Sequence, residues 1–253
     1  MTDLPYLAYR SKMRTVLINT RLGQVAFTEL SNTGAPVAAL MYGVFRGSDC
    51  LQPLIQRLSG VDVVVVHQPG HSGAPELTDI GVVPYAQAVG VGVQTLFQDR
   101  DVFLAGESLG GLISLAVGAY ALPCLRSVVA FDPFFTTAKL WPIHRQTADM
   151  WPISSGPRIM DRIFGIGASS VEQRDYRGVL RTLAVPATVV TGDCPLLPER
   201  ETDQSPCLMD DDDCEAVEAS SASLIRLAGG HRLIEQCPDQ CAEVLNQVMR
   251  LRM

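Results

Sequence analysis

The chain has 253 residues, 47% of them apolar, and a formal net charge of −7. That length suits one α/β domain, or one domain with an insertion, and the apolar content is enough for a large core. The acidic balance without a basic patch argues against a nucleic-acid partner. No apolar run is long enough to span a membrane, and residues 1–10 lack the basic-then-apolar pattern of a secretory leader.

In chain order, residues 14–19 and 23–30 read as two paired strands joined at Leu22-Gly23. A strand over 35–41 ends in Tyr42-Gly43-Val44-Phe45-Arg46-Gly47-Ser48, and a helix follows over about 50–58. Residues 61–66 hold Val and one Asp, the composition of a central parallel strand buried on both faces. They run into the Gly-rich loop His67-Gln68-Pro69-Gly70-His71-Ser72-Gly73. A helix is expected over 85–98, then a short apolar strand from Val102, then a helix over 112–122. Later strands are expected over 127–131, 186–191 and 223–227, stopping at Asp132-Pro133, Gly192-Asp193 and Gly229-Gly230-His231. A closing helix covers 238–249.

Strands alternating with helices predict an α/β fold with a mostly parallel central sheet flanked by helices. Ligands of such sheets bind beyond the carboxyl ends of the strands, where the unusual polar residues of this chain fall. Two stretches break the alternation. Residues 136–181 exceed a plain crossover and hold both tryptophans, Trp141 and Trp151. They are read as an inserted cap over the site, with residues 1–135 and 182–253 forming the core domain. The second stretch, 195–219, contains Asp210-Asp211-Asp212-Asp213, expected as a solvated helix start because adjacent carboxylates repel and favour helix N-termini.

The chemistry centres on Gly106-Glu107-Ser108-Leu109-Gly110-Gly111, between the strand from Val102 and the helix that follows. A serine on a sharp strand-to-helix turn stands exposed over the sheet edge, and Gly106 and Gly110 are required because a Cβ there would meet neighbouring backbone. The N–H of Leu109, at a helix N-terminus, can stabilise an oxyanion. Serine needs a base. Of the four histidines, His67, His71, His144 and His231, His231 follows the last strand on two glycines and comes after the serine in the chain, as this motif requires. His144 lies in the proposed cap, where it can touch substrate. A carboxylate must orient the imidazole. Asp193 and Asp132 both follow strands, and the residues alone leave the choice open.

These blocks resemble the α/β-hydrolase superfamily over nearly the whole chain. Tyr42-Gly43-Val44 is similar to its His-Gly-x oxyanion loop, with Tyr in place of His. Pro69-Gly70-His71-Ser72-Gly73 is similar to its Pro-Gly-x-Gly turn, the elbow matches without departure, and Gly229-Gly230-His231 resembles its Gly-His block. The cap lies where that family inserts its lid. The resemblance implies backbone N–H groups of Val44 and Leu109 as the oxyanion hole and a pocket wall changed by Tyr42. It implies an acid near Asp193, where Cys194 stands at the family's usual position as if one residue were deleted, or at Asp132, used by other branches. Asp193 is slightly favoured.

The reading is a cofactor-free, metal-free serine hydrolase of a carboxylic ester or thioester. Its substrate is a small acyl compound with an apolar portion, lined by Tyr42, Trp141, His144 and Trp151. Acyl transfer to another acceptor, C–C bond hydrolysis at the same site, and a catalytically silent binding protein stay open on fold alone. The seven cysteines, Cys50, Cys124, Cys194, Cys207, Cys214, Cys237 and Cys241, are odd in number and widely spaced. With no leader they point to reduced thiols in a cytoplasm. Cys237 and Cys241 share a helix face without further ligands, so core packing is expected of them.

Overall fold

The computed structural model describes residues 13–71, 73–140, 156–195 and 205–252. Its strands are β1 (Arg14–Thr20), β2 (Gly23–Glu29), β3 (Val37–Met41), β4 (Asp62–Val66), β5 (Val102–Glu107), β6 (Leu125–Phe131), β7 (Ala187–Gly192) and β8 (Ser223–Leu227). They form one sheet in the order β1-β2-β4-β3-β5-β6-β7-β8. The β1–β2 hairpin joins antiparallel to β4. Every pairing from β4 to β8 is parallel.

Period-two alternation sorts the side chains. Ala39, Met41, Val64 and Val66 enter one apolar layer, while Ala38, Leu40, Val63 and Val65 enter the other. The first layer is closed by α2 (Val82–Phe97) and α3 (Leu109–Val117), and the second by α1 (Gln52–Ile55) and α7 (Pro238–Arg250). Both faces are therefore dry, which is why β3 and β4 are uninterrupted apolar runs apart from Asp62. Asp62 sits at the amino edge, away from any site. Its carboxylate accepts the N–H groups of Thr33 (2.7 Å) and Gly34 (3.1 Å) and pairs with Arg100. Burial would raise its pKa, but these partners hold it below the usual carboxylate range.

The structure shortens the helix expected over 112–122. It starts at Leu109 and stops at Val117, capped by Gly118. Gly118 is a poor helix former, and its carbonyl turns out to accept the N–H of Ala184 (2.8 Å).

Residues 156–181 are the described part of the stretch expected as a cap, with 136–140 leading in. Trp141, His144 and Trp151 lie outside the described residues. Helix α4 (Gly156–Ile159) widens into a π-type turn, Met160–Phe164, and stops at Gly165 (φ +70°). A Cβ there would stand 1.7 Å from the Glu172 carbonyl. Phe164 stacks on Phe134 just past β6 (centroids 4.9 Å, 28°). Arg158 reaches Glu76 in the loop after β4 at 3.4 Å. The segment is thus tied to loops on both sides of β5.

The aspartate run departs from expectation. Asp210 does cap α5 (Asp211–Glu218), accepting the Asp213 N–H at 3.0 Å. Asp213, however, is fully buried rather than solvated. Lys139 makes this tolerable, pairing with Asp213 and with Asp210 (2.7 Å). Burial still pushes the Asp213 carboxyl up. The contact fastens the start of the insertion to α5. A short helix, α6 (Leu233–Gln236), starts two residues after His231, with Arg232 at its N-cap.

Candidate active site

Strand β5 delivers Ser108 with φ 57° and ψ −122°, a conformation that forces the chain to reverse into α3. Its N–H donates to the Phe131 carbonyl (2.9 Å), and its carbonyl accepts the Leu112 N–H (3.0 Å). The glycines are required as the sequence implied. A Cβ on Gly106 would lie 2.3 Å from the Gly110 carbonyl carbon, and one on Gly110 would lie 2.6 Å from the Tyr42 oxygen. Gly43 brings the loop after β3 against Ser108, since a Cβ on Gly43 would sit 3.2 Å from that of Ser108. Leu109, the first residue of α3, belongs to the turn whose N–H groups have no intrahelical acceptor.

Asp132, the residue after strand β6, is 0% exposed. Its Oδ1 accepts the Thr191 hydroxyl (3.0 Å) and its Oδ2 accepts the Leu208 N–H (2.8 Å). The same Oδ2 lies 2.7 Å from His231 Nδ1. A carboxylate at that nitrogen makes it the protonated one and leaves Nε2 with its lone pair.

The slight preference for Asp193 is therefore corrected: Asp132 is the carboxylate on the imidazole. Asp193 is spent elsewhere, its Oδ1 accepting the Gly229 N–H (2.9 Å). In return the Gly229 carbonyl accepts the N–H groups of Asp193 (2.9 Å) and Cys194 (3.0 Å). Asp193 thus shapes the turn that carries His231 instead of touching the ring.

Among the described residues, the non-glycine residues with positive φ are Phe45 (59°), Ser108 (57°), Asp132 (39°) and Ser205 (46°). The first three lie in the loops or turns after β3, β5 and β6, and the Ser205 carbonyl accepts the His231 N–H (2.7 Å). Among the described residues, this backbone strain gathers at the carboxyl edge of the sheet.

Tyr42 also departs from expectation. Its ring is 0% exposed, packed in the layer with Leu40 and Leu54, with its hydroxyl 3.3 Å from His67 Nδ1. What it lends the site is its carbonyl, which accepts from the buried Gln68 amide. His71 is buried beside Phe45 (centroids 5.8 Å), with Nδ1 on the Pro69 carbonyl (3.1 Å). Desolvation lowers the pKa of His67 and of His71, favouring neutral rings. Cys207, near Asp132, is pushed up to about 12 by burial and by that carboxylate. Cys241 is buried and Cys237 half-buried, both as free thiols. No cluster of three or more metal-ligating side chains occurs among the described residues.

Sequence reasoning missed Thr191 and the Leu208 N–H, which hold Asp132, and Gln68, which holds the loop after β3 through the Tyr42 carbonyl. Thr191 was within a strand already placed. Leu208 and Gln68 gave no signal, because one acts through backbone and the other looks like any loop amide.

A parallel sheet entered by one antiparallel hairpin, with a serine elbow after its central strand and a carboxylate-bound histidine after its last, defines an α/β hydrolase. The chain belongs to the alpha/beta hydrolase family, whose model matches residues 34–244, from just before β3 into α7. Among solved structures it is similar to the thioesterase domain from the curacin biosynthetic pathway, at 17% identity and TM-score 0.65 over 92% of this chain and 99% of that one. It is similar to carboxylesterase CesB from Bacillus subtilis at 14% identity and TM-score 0.66, over 96% of each chain. Naproxen esterase from Bacillus subtilis aligns at 18% identity and TM-score 0.63, over 99% of each. At these identities the likeness is one of fold. No curated protein matches the sequence. Among the described residues no helix is long and apolar enough to cross a membrane.

Proposed function

We propose that the protein is a serine hydrolase that cleaves a carboxylic ester or thioester through an acyl-enzyme at Ser108. The observation that carries this reading is the 2.7 Å contact of His231 Nδ1 with the buried Asp132, at the same sheet edge as the strained serine turn. His231 Nε2 takes the Ser108 proton as Oγ attacks the acyl carbon. The N–H groups of Val44 and Leu109 receive the negative charge on the tetrahedral oxygen. Collapse expels the alcohol or thiol, which takes the proton back from His231. Water, deprotonated by the same nitrogen, then attacks the acyl-enzyme and frees Ser108. Asp132 stabilises the imidazolium formed twice per cycle.

The segment 156–181 acts in this reading as a cover that admits an apolar acyl group. The support is the tie of this segment to Phe134 on one side of β5 and to Glu76 on the other. Esterase and thioesterase neighbours of the same fold agree with the reaction class.

The test is a fluorophosphonate label mapped to its peptide, followed by a screen of p-nitrophenyl esters and acyl thioesters of graded chain length. One label on Ser108, lost in S108A together with turnover, is expected. A label elsewhere, or turnover that survives S108A, would overturn the assignment.

A further inference from the structure

The three catalytic loops come from distant parts of the chain, yet each carries a charged residue close to its reactive group. Arg46 follows Val44 in the loop after β3, Glu107 precedes Ser108, and Glu235 lies just beyond His231. These three meet. Arg46 Nη2 donates to Glu235 Oε1 at 2.6 Å, with side chains only 26% and 33% exposed. Glu107, 1% exposed, lies within electrostatic reach of Arg46 and His231, and its Oε1 accepts the Ile234 N–H at 3.3 Å, beside Glu235 on α6. Each end of the contact is short and stiff. The Arg46 N–H closes a turn on the Gly43 carbonyl (3.3 Å) that contains Val44 and the strained Phe45. The Glu235 N–H closes another on the Arg232 carbonyl (3.1 Å), next to His231.

We infer that Arg46 and Glu235, seated on the buried Glu107, form a strut that fixes the oxyanion loop to the histidine loop, so that the Val44 N–H and His231 keep one spacing around Ser108. This rests on the serine-hydrolase reading above. Arg46 and Glu235 are positioning residues: neither touches the reacting atoms. The chemistry favours this over a surface ornament for two reasons. A half-buried pair is screened less than an exposed one. In addition, Arg46 pairs with Glu235 within electrostatic reach of the Glu107 carboxyl, whose pKa burial raises and the nearby Arg46 and His231 lower. Without the strut, the loop held in a positive φ at Phe45 is free to relax, and the donor moves off the place where charge develops. A shift of about 1 Å at such a donor is worth up to ~10²-fold in rate.

The test compares R46M, E235Q, R46M/E235Q and R46K with the parent. The measurements are kcat and KM on the best ester of the chain-length screen, affinity for an aryl boronic acid that mimics the tetrahedral oxyanion, and thermal unfolding. We expect kcat to fall ~10–100-fold in R46M and in E235Q with KM changed less than about threefold. Boronate affinity should fall in step, the double variant should be no worse than the worse single, and R46K should recover most of kcat. A purely structural pair would lower the unfolding temperature and leave kcat of the folded enzyme and boronate affinity unmoved; that result, or additive losses in the double variant, overturns the strut. If the parent chain itself takes no fluorophosphonate label, the hydrolase reading falls and takes the strut with it. A labelled parent with unmoved kcat in R46M and E235Q removes the strut alone.

Discussion

Replacing Asp132 is the sharpest probe of the site, and the structure sets its size. Asp132 Oδ2 serves two donors, His231 Nδ1–H at 2.7 Å and the Leu208 N–H at 2.8 Å. An asparagine would therefore keep its oxygen at that position, since an NH2 group there would face two donors. Its NH2 would fall at Oδ1, opposite the Thr191 hydroxyl, which can turn to accept. The imidazole tautomer survives, and what is lost is the charge beside the imidazolium. The difference between a neutral and a charge-assisted hydrogen bond is about 1.5 kcal/mol. The Coulomb attraction at ~4 Å and an effective dielectric constant of ~20 is about 4 kcal/mol. Midway lies about 2.7 kcal/mol, or ~10²-fold in kcat. D132A, which also orphans Leu208 N–H and Thr191, should lose ~10³–10⁴-fold. D193N keeps an acceptor for Gly229 and should stay within ~3-fold, because nothing in its contact with the turn depends on charge. Initial rates on a p-nitrophenyl ester, with circular dichroism to establish folding, decide the matter. A folded D132N within threefold of the parent, or D193N as the more severe variant, would refute the pairing.

Three further expectations follow from contacts in the fold. G110A should express poorly or unfold early, because its Cβ would sit 2.6 Å and 2.8 Å from the Tyr42 and Met41 carbonyl oxygens; thermal melts should show a loss of at least about 2 kcal/mol. K139M leaves the buried Asp213 without its cation and should cost about 3 kcal/mol near neutral pH, a fall of roughly 6–12 °C in Tm. In that variant the Asp213 carboxyl titrates above its unfolded value, so the folded state binds the extra proton and stability is lost as pH rises; the deficit should shrink in acid, and a pH-independent deficit would contradict this. W141A and W151A should alter the preference among acyl chain lengths more than they alter Tm, and an unchanged profile in both would return these residues to ordinary packing.

Much of this was legible in the residues because it is local. The elbow at Ser108 announces itself through its two glycines, and His231 through its place after the last strand. The acid was not legible. Asp132 and Asp193 both end strands, and what separates them is that Leu208, 76 residues away, folds back to hold one of them under the imidazole. The same reason hid Asp213, whose burial depends on Lys139 across 74 residues. Tyr42 misled in another way. A residue beside the oxyanion loop suggests a pocket wall, but strand alternation turned its ring into the layer that holds Leu40.

The strand order has a consequence for how the chain must be made. From β5 onward each strand joins the sheet at one advancing edge, β6 on β5, β7 on β6 and β8 on β7. While the ribosome adds residues 132–186, the wholly apolar end of β6 has no neighbour on that side. At ~5–20 residues per second that wait is roughly 3–11 s. A nascent chain in that interval offers a parallel-sheet edge to any partner, which is the kind of species that chaperones bind and that aggregates when they are scarce. In the serine-hydrolase reading the base arrives only with the loop after β8, so a chain cut between Leu227 and His231 retains all eight strands and has no means of activating Ser108.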